Sequence, residues 1–408
     1  MSRRRKAILA LFTLLAILAA AGGVVVHRRG FDRIAMGLTL FRGVAQGENF
    51  RRAYEIFPST TMPASTRPYR FPEGAPIELP KRFTYKGEDR DVETFLAETD
   101  TSALLVLRGG ELRYERYFAP GGPDVHWISW SVAKSFISAL VGIAVHEGHI
   151  RSIEEPISDY VPALRGSGYE GVRIKDVLQM SSGVRWDETY LNPVSDVNRF
   201  GAVLFLGGSL DAFTASLVRE REPGTFNHYS SADTHALGML LTEATGRTVT
   251  DYMHEKLWEP LGMESRGHWL VDDEGMEMVF GGLNAIARDY AKLGELYRLR
   301  GVFRGESIVP SEWVDASIRP DAPHLTPEAK KDDVFPVGYG YQWWIPEGDE
   351  GEYSAIGIYN QFVYVNPTRD VVIVKLSAFR NYALCIDESA YRELETIEFF
   401  RAIARSLG

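Results

Sequence analysis

The chain has 408 residues, a net charge of −10 and an ordinary globular balance of apolar and charged residues. Its acidity gives no electrostatic reason to expect a nucleic-acid partner. Its single cysteine, Cys385, excludes an internal disulfide framework and a cysteine-rich zinc site. The histidines are scattered, and His146 and His149 share a segment without a further ligand cluster, so no metal site is expected.

Arg3 to Lys6 form a basic cluster, followed by an uncharged run from Ala7 to Val26 and then by His27, Arg28 and Arg29. As a helix that run would be ~30 Å long, enough to cross a bilayer core. Residues 1–30 therefore read as a membrane anchor, with the basic cluster inside and the rest of the chain on the extracytoplasmic, periplasmic side. Ala19 to Ala21 could serve as a cleavage site, so a secreted protein released from a signal segment is the alternative. Residues 31–57 read as a helical, membrane-proximal segment, and the prolines of 58–80 as an extended connector, making 31–80 one region.

A serine-led domain is expected over 81–408. Residues 102–107 and 112–118 alternate as strands around Gly109 and Gly110, and 136–145 are apolar on nearly all sides, as in a buried helix. Helical spacing recurs at 174–180, 229–245, 248–261 and 285–299. Strand patterning returns at 341–344, 361–365 and 371–376, and a last helix is expected over 389–406. Strands at both ends of a helical middle predict an α/β (α+β) fold, an antiparallel sheet flanked by helices with an all-helical insertion. The sheet subdomain would comprise 81–149 and 337–408, and the helical subdomain 150–336.

The chemistry centres on residues 129–136, Ser-Trp-Ser-Val-Ala-Lys-Ser-Phe, at the head of the buried helix. Ser131 and Lys134 are one helical turn apart on one face. A serine needs an adjacent base to become a nucleophile, and a buried lysine near a helix N-terminus can serve once desolvation makes its neutral form accessible. The alternative for such a pair is a solvated serine and lysine. Tyr229, after the Pro223-Gly224 turn, is a second candidate, since a phenol near an ammonium loses its proton more easily. The alternative there is a core tyrosine. Trp186, Asp187 and Tyr190 could overhang the site or simply pack a surface loop, while Trp130, Trp343 and Trp344 read as packing.

Together these stretches resemble the penicillin-recognising serine hydrolases: class C β-lactamases, D-alanyl-D-alanine carboxypeptidases, family VIII carboxylesterases and 6-aminohexanoate-dimer hydrolases. Ser131-x-x-Lys134 matches the first motif and Tyr229-Ser230-Ser231 the second. Supporting stretches match at 157–162, 174–183, 259–263 and 281–289, so that the resemblance spans roughly residues 80–400. It implies a β-lactamase/transpeptidase-like fold. It also implies acyl transfer through Ser131, with Lys134 and Tyr229 as base and acid, and the backbone N–H groups of Ser131 and Ile358 as oxyanion hole. Ser231, Ala355 and Gly357 would contact substrate, and no cofactor is implied.

In the third family motif, Lys/His-Thr/Ser-Gly, this chain has Ala355-Ile356-Gly357, without the cation that binds a substrate carboxylate. A charge-assisted hydrogen bond of about 1.5–3 kcal/mol is thereby lost. That departure, with the aromatic stretch 338–344, points to the esterase and 6-aminohexanoate-dimer-hydrolase branch. Asn360 stands where that group usually has glycine. The expected partner is a small ester, amide or peptide-like substrate. A D-alanyl-D-alanine carboxypeptidase or weak β-lactamase is the alternative enzyme, and a membrane-tethered binding protein on a retired hydrolase scaffold the non-enzymatic one.

Overall fold

A computed structural model describes residues 30–408 apart from 41, 42, 44 and 386, with 5, 6, 11, 13 and 23 alone before them. The run read as a membrane anchor thus lies almost wholly outside the described residues, among which no helix is long and apolar enough to cross a membrane.

In chain order the elements that position the site are α1 (Phe31–Thr39), α2 (Gln46–Ile56), β1 (Ser59–Met62), α3 (Val92–Glu98), β2 (Thr101–Arg108), β3 (Glu111–Tyr117), β4 (Trp127–Ile128) and α4 (Ala133–His146). They continue with α5 (Asp196–Leu206), α6 (Ser231–Thr245), β5 (Gly267–Leu270), β6 (Leu283–Ala285), α7 (Ala287–Arg298), β7 (Gly338–Tyr339) and β8 (Trp344–Ile345). The last are β9 (Tyr353–Gly357), β10 (Gln361–Asn366), β11 (Val371–Ser377) and α8 (Glu393–Ser406).

The main sheet has seven strands in the order β7-β8-β9-β10-β11-β2-β3, antiparallel at every junction. Near-continuous Val, Ile, Leu and Phe in β2, β10 and β11 suit strands buried on both faces. One face packs Leu104, Val106, Phe362 and Ile373 against Phe399, Phe400 and Phe95 of α8 and α3. The other packs Leu105, Val363 and Val374 into the main core with Leu293 of α7. Gly109 and Gly110, at φ 59° and 81°, make the tight turn between β2 and β3 that side chains resist.

Helix α4 meets the expectation of a central helix, because all of residues 133–144 are buried. Each Phe, Ile or Leu so buried contributes about 1.5–3 kcal/mol. Its Gly142 lies against the Trp313 ring, where an added Cβ would come within 2.5 Å of the indole. Gly142→Ala is expected to lower stability by about 1–3 kcal/mol despite alanine's better helix propensity, a loss readable as a lower thermal midpoint.

Three sequence expectations are corrected. The helical middle supplies two strands, β5 and β6, to a second four-stranded sheet ordered β1-β5-β6-β4. Their apolar runs are too short for periodicity to separate strand from helix. The strand expected at 341–344 is reduced to Trp344, because Gln342 takes φ 62° in a turn. Its amide braces the helices instead: Thr234 donates to Oε1 at 2.6 Å, and Nε2 donates to the Leu178 carbonyl at 2.7 Å. The helix expected over 248–261 gives way after Met253 to a π-turn, His254–Trp258.

Residues 31–80 lie against this body. Phe50 and Ala53 of α2 and Met62 of β1 are buried in the main core, and β1 pairs with β5 at the edge of the second sheet.

Candidate active site

The second sheet ends where the site begins. Ser129 donates its N–H to the Leu283 carbonyl of β6 at 2.7 Å, and Trp130 then takes φ 45°, a left-handed conformation that disfavours large side chains. Packing of Trp130 against Phe50 and Tyr359, with centroids at 5.3 and 5.7 Å, offsets that strain. A single 3₁₀ turn, Trp130–Val132, then presents Ser131 at the entrance to α4.

Lys134 Nζ is buried and lies 2.8 Å from Ser131 Oγ. It donates to the Phe280 carbonyl at 2.8 Å and to Ser231 Oγ at 3.2 Å. A neutral amine has two N–H donors for those acceptors and one lone pair for the serine hydroxyl, which is the geometry of a base. Burial lowers its pKa to about 7, and Glu188 partly opposes that fall.

Tyr229 directly precedes Ser230, which caps α6 by accepting the Asp233 N–H. The phenol has Ser131 as a hydrogen-bonding neighbour, and its ring stacks on Trp344 at 5.1 Å. Here the sequence reading is corrected. Burial first, then Glu188, push the Tyr229 hydroxyl well above its ordinary range, so it is held as a proton donor rather than a phenolate. The expected effect of the lysine is lost because Lys134 is itself easily neutralised.

Glu188 is the residue that motif reasoning missed. Its carboxylate accepts from the Ser231 N–H at 3.1 Å, Ser231 Oγ at 2.8 Å and Tyr190 OH at 2.7 Å, and from the Trp186 indole. It thus closes the buried N-terminus of α6, where an anion is favoured. The signal available was its place between Trp186 and Tyr190, the loop already singled out.

Ser131, Glu188, Tyr229, Gly357 and Ile358 line one cleft of about 240 Å³, walled by Tyr190, Phe335, Trp344, Ile356 and Tyr382. Ser231 reaches it through Lys134 and Glu188. Ala355 is buried in the core and is not among the lining residues; its neighbour Ile356 is. At the end of β9 a Cβ on Gly357 would fall 2.7 Å from the Ser129 carbonyl and 3.0 Å from Ser131 N, so this strand and the serine turn meet backbone to backbone. Asp187 lies outside the lining and caps its own loop by accepting the Thr189 N–H at 2.9 Å. Among the described residues no group of His, Cys, Asp or Glu is placed to hold a metal ion.

A serine and a tyrosine line one cleft of this fold, with a buried lysine behind the serine, and the chain belongs to the beta-lactamase family of serine hydrolases, whose model matches residues 89–383. Within it the chain is similar to the 6-aminohexanoate-dimer hydrolase of Paenarthrobacter ureafaciens, at 32% identity over 297 residues, 71% of this chain and 75% of that protein. A solved structure from Bacillus anthracis, described as a candidate 6-aminohexanoate-dimer hydrolase, shares the fold with a TM-score of 0.79 at 21% identity, covering 90% of this chain and 96% of that one. Simvastatin synthase from Aspergillus terreus shares it with a TM-score of 0.59 at 14% identity, over 78% of this chain and 97% of that one.

Proposed function

We propose that this chain hydrolyses ester or linear amide bonds through an acyl-enzyme on Ser131. The observation that carries the reading is the buried Lys134 amine, 2.8 Å from Ser131 Oγ and with its pKa lowered to about 7. Lys134 takes the hydroxyl proton as Ser131 Oγ bonds to the carbonyl carbon. The N–H groups of Ser131 and Ile358, which border the cleft, hold the oxyanion. Tyr229 gives its proton to the departing nitrogen or oxygen, and the proton held by Lys134 restores the phenol. Water then cleaves the ester by the same steps reversed.

The cleft walls are largely aromatic and aliphatic, which suits an extended apolar chain on the substrate. The hydrolase from Paenarthrobacter ureafaciens supports a linear amide among the substrates.

The test is a panel of short acyl esters, linear amides and nitrocefin, with a fluorophosphonate probe mapped by mass spectrometry. Ester and linear amide turnover with the label on Ser131 is the expected result. Nitrocefin turnover much faster than the esters would favour a β-lactamase or carboxypeptidase. An unlabelled Ser131 with no turnover would leave a binding protein on the same scaffold.

Glu188→Gln gives a separate check. The neutral form of Lys134 is the active one, so kcat/KM for an ester should rise with pH through about 7 and level off above it. The Glu188 charge raises the lysine pKa, so its removal should move that rise to lower pH. A rise that stays in place or moves upward would exclude Lys134 as the base that Glu188 tunes.

We further propose that the segment 7–26 anchors the chain in a membrane with the hydrolase domain on the extracytoplasmic side. Release of the full-length chain from membranes by alkaline carbonate would count against an anchor.

A further inference from the structure

The turn between β9 and β10 consists of residues 358–360, since Gly357 pairs with Gln361. Two of its residues are left-handed without being glycine, Tyr359 at φ 63° and Asn360 at φ 72°. Asparagine tolerates that region and tyrosine resists it, so a free hairpin of this sequence would relax to another shape.

Behind the turn lies an ionisable group that the proposed chemistry does not use. Lys375 of β11 is fully buried and is not among the residues lining the cleft. Its Nζ donates to Asn360 Oδ1 at 2.7 Å and to Ser377 Oγ at 2.6 Å, and among the described residues no ion pair with a carboxylate neutralises it. Burial and the nearby Arg392 guanidinium push its pKa well down. The Asn360 amide donates in turn to the Tyr391 carbonyl at 3.3 Å, just before α8, and Thr396 of α8 donates to Asn360 Oδ1 at 3.1 Å. Tyr391 and Glu393 line the same cleft as Ile358. An unpaired buried lysine is an unfavourable way to fill a core, so its value lies in the geometry that its hydrogen bonds fix.

We propose that Lys375 and Asn360 are positioning residues, a latch that ties the left-handed turn to the start of α8 and so holds the Ile358 N–H where the oxyanion forms. The inference rests on the acyl-enzyme reading above. It also gives Asn360 a reason to stand where glycine would suffice for the backbone alone. Glycine permits the turn, whereas asparagine permits it and fastens it.

The test compares Lys375→Met, Asn360→Gly and Asn360→Ala in the full chain on an activated ester. Near-UV circular dichroism reports the folded fraction. Lys375→Met and Asn360→Gly should each lower kcat about 10- to 100-fold while KM stays within about threefold, because donor placement acts on the transition state. Added to Gly357→Ala, either change should cause little further loss, since two defects in one oxyanion hole do not multiply. Multiplying losses, or a fall in kcat that merely tracks the folded fraction, would make the latch structural only and overturn the proposal. Wild-type kcat in Asn360→Gly beside a slow Asn360→Ala would also overturn it, leaving backbone freedom as the whole requirement. Should Lys375→Met fail to fold, Asn360→Gly carries the comparison alone. Activity surviving in Ser131→Ala would refute the acyl-enzyme reading itself, whereas unimpaired Lys375→Met on a Ser131-dependent background refutes only the latch.

Discussion

Lys134→Met is expected to lower kcat/KM for an activated ester by about 10³–10⁴-fold, with little change in thermal midpoint. The methionine fills most of the volume of the lysine stem and removes a buried amine, while the Phe280 carbonyl loses a donor at 2.8 Å. These effects on stability oppose each other; the effect on rate has nothing to oppose it. Without the amine, Ser131 Oγ has no base within hydrogen-bond reach among the described residues, because Tyr229 is held protonated by burial and by Glu188. Lys134→Arg should be as inactive, since a guanidinium keeps its proton at any working pH. Steady-state rates across pH decide the matter. Residual activity within tenfold of wild type would mean that another group takes the serine proton.

Gly357→Ala is the second large effect. The atoms that its Cβ would meet, the Ser129 carbonyl at 2.7 Å and Ser131 N at 3.0 Å, are backbone and cannot swing aside as a side chain would. Either the end of β9 or the serine turn must shift; the serine turn carries the proposed Ser131 donor, and β9 leads directly into the proposed Ile358 donor. Loss of one such donor costs about 3 kcal/mol of transition-state stabilisation, so kcat should fall about 10²–10³-fold. Far-ultraviolet circular dichroism should be unchanged, because the contact is local to one strand end. A variant with kcat within threefold of wild type would show that the approach of β9 to Ser131 has no role in the reaction.

Much of the site was legible because its parts are short and local. Ser131 and Lys134 are held together by one helical turn, and Tyr229 is fixed by the cap that begins α6, so family spacing singled out all three as candidates. The helix behind them announced its burial by being apolar on nearly all sides. The long Val- and Ile-rich strands of the main sheet were equally plain. What escaped were features whose signal is a contact between distant segments. The two-residue strand β4 becomes a strand only by pairing with β6, and the three-residue β6 only by pairing with β4 and β5. Glu188 is one acidic residue among many until Ser231, 43 positions away, donates to it.

The sequence by itself determined the family, the serine–lysine–tyrosine set and the absence of a cation at Ala355, because each is a matter of residue identity at fixed spacing. The tertiary structure alone decided how those groups are charged and where the backbone donors lie. Desolvation depends on what surrounds a group in space, and only the folded core buries the Lys134 amine to about 7 and holds the Tyr229 phenol protonated. The same holds for the turn after Gly357, where Asn360 meets Lys375 of the neighbouring β11, a relation that no local pattern in the chain encodes.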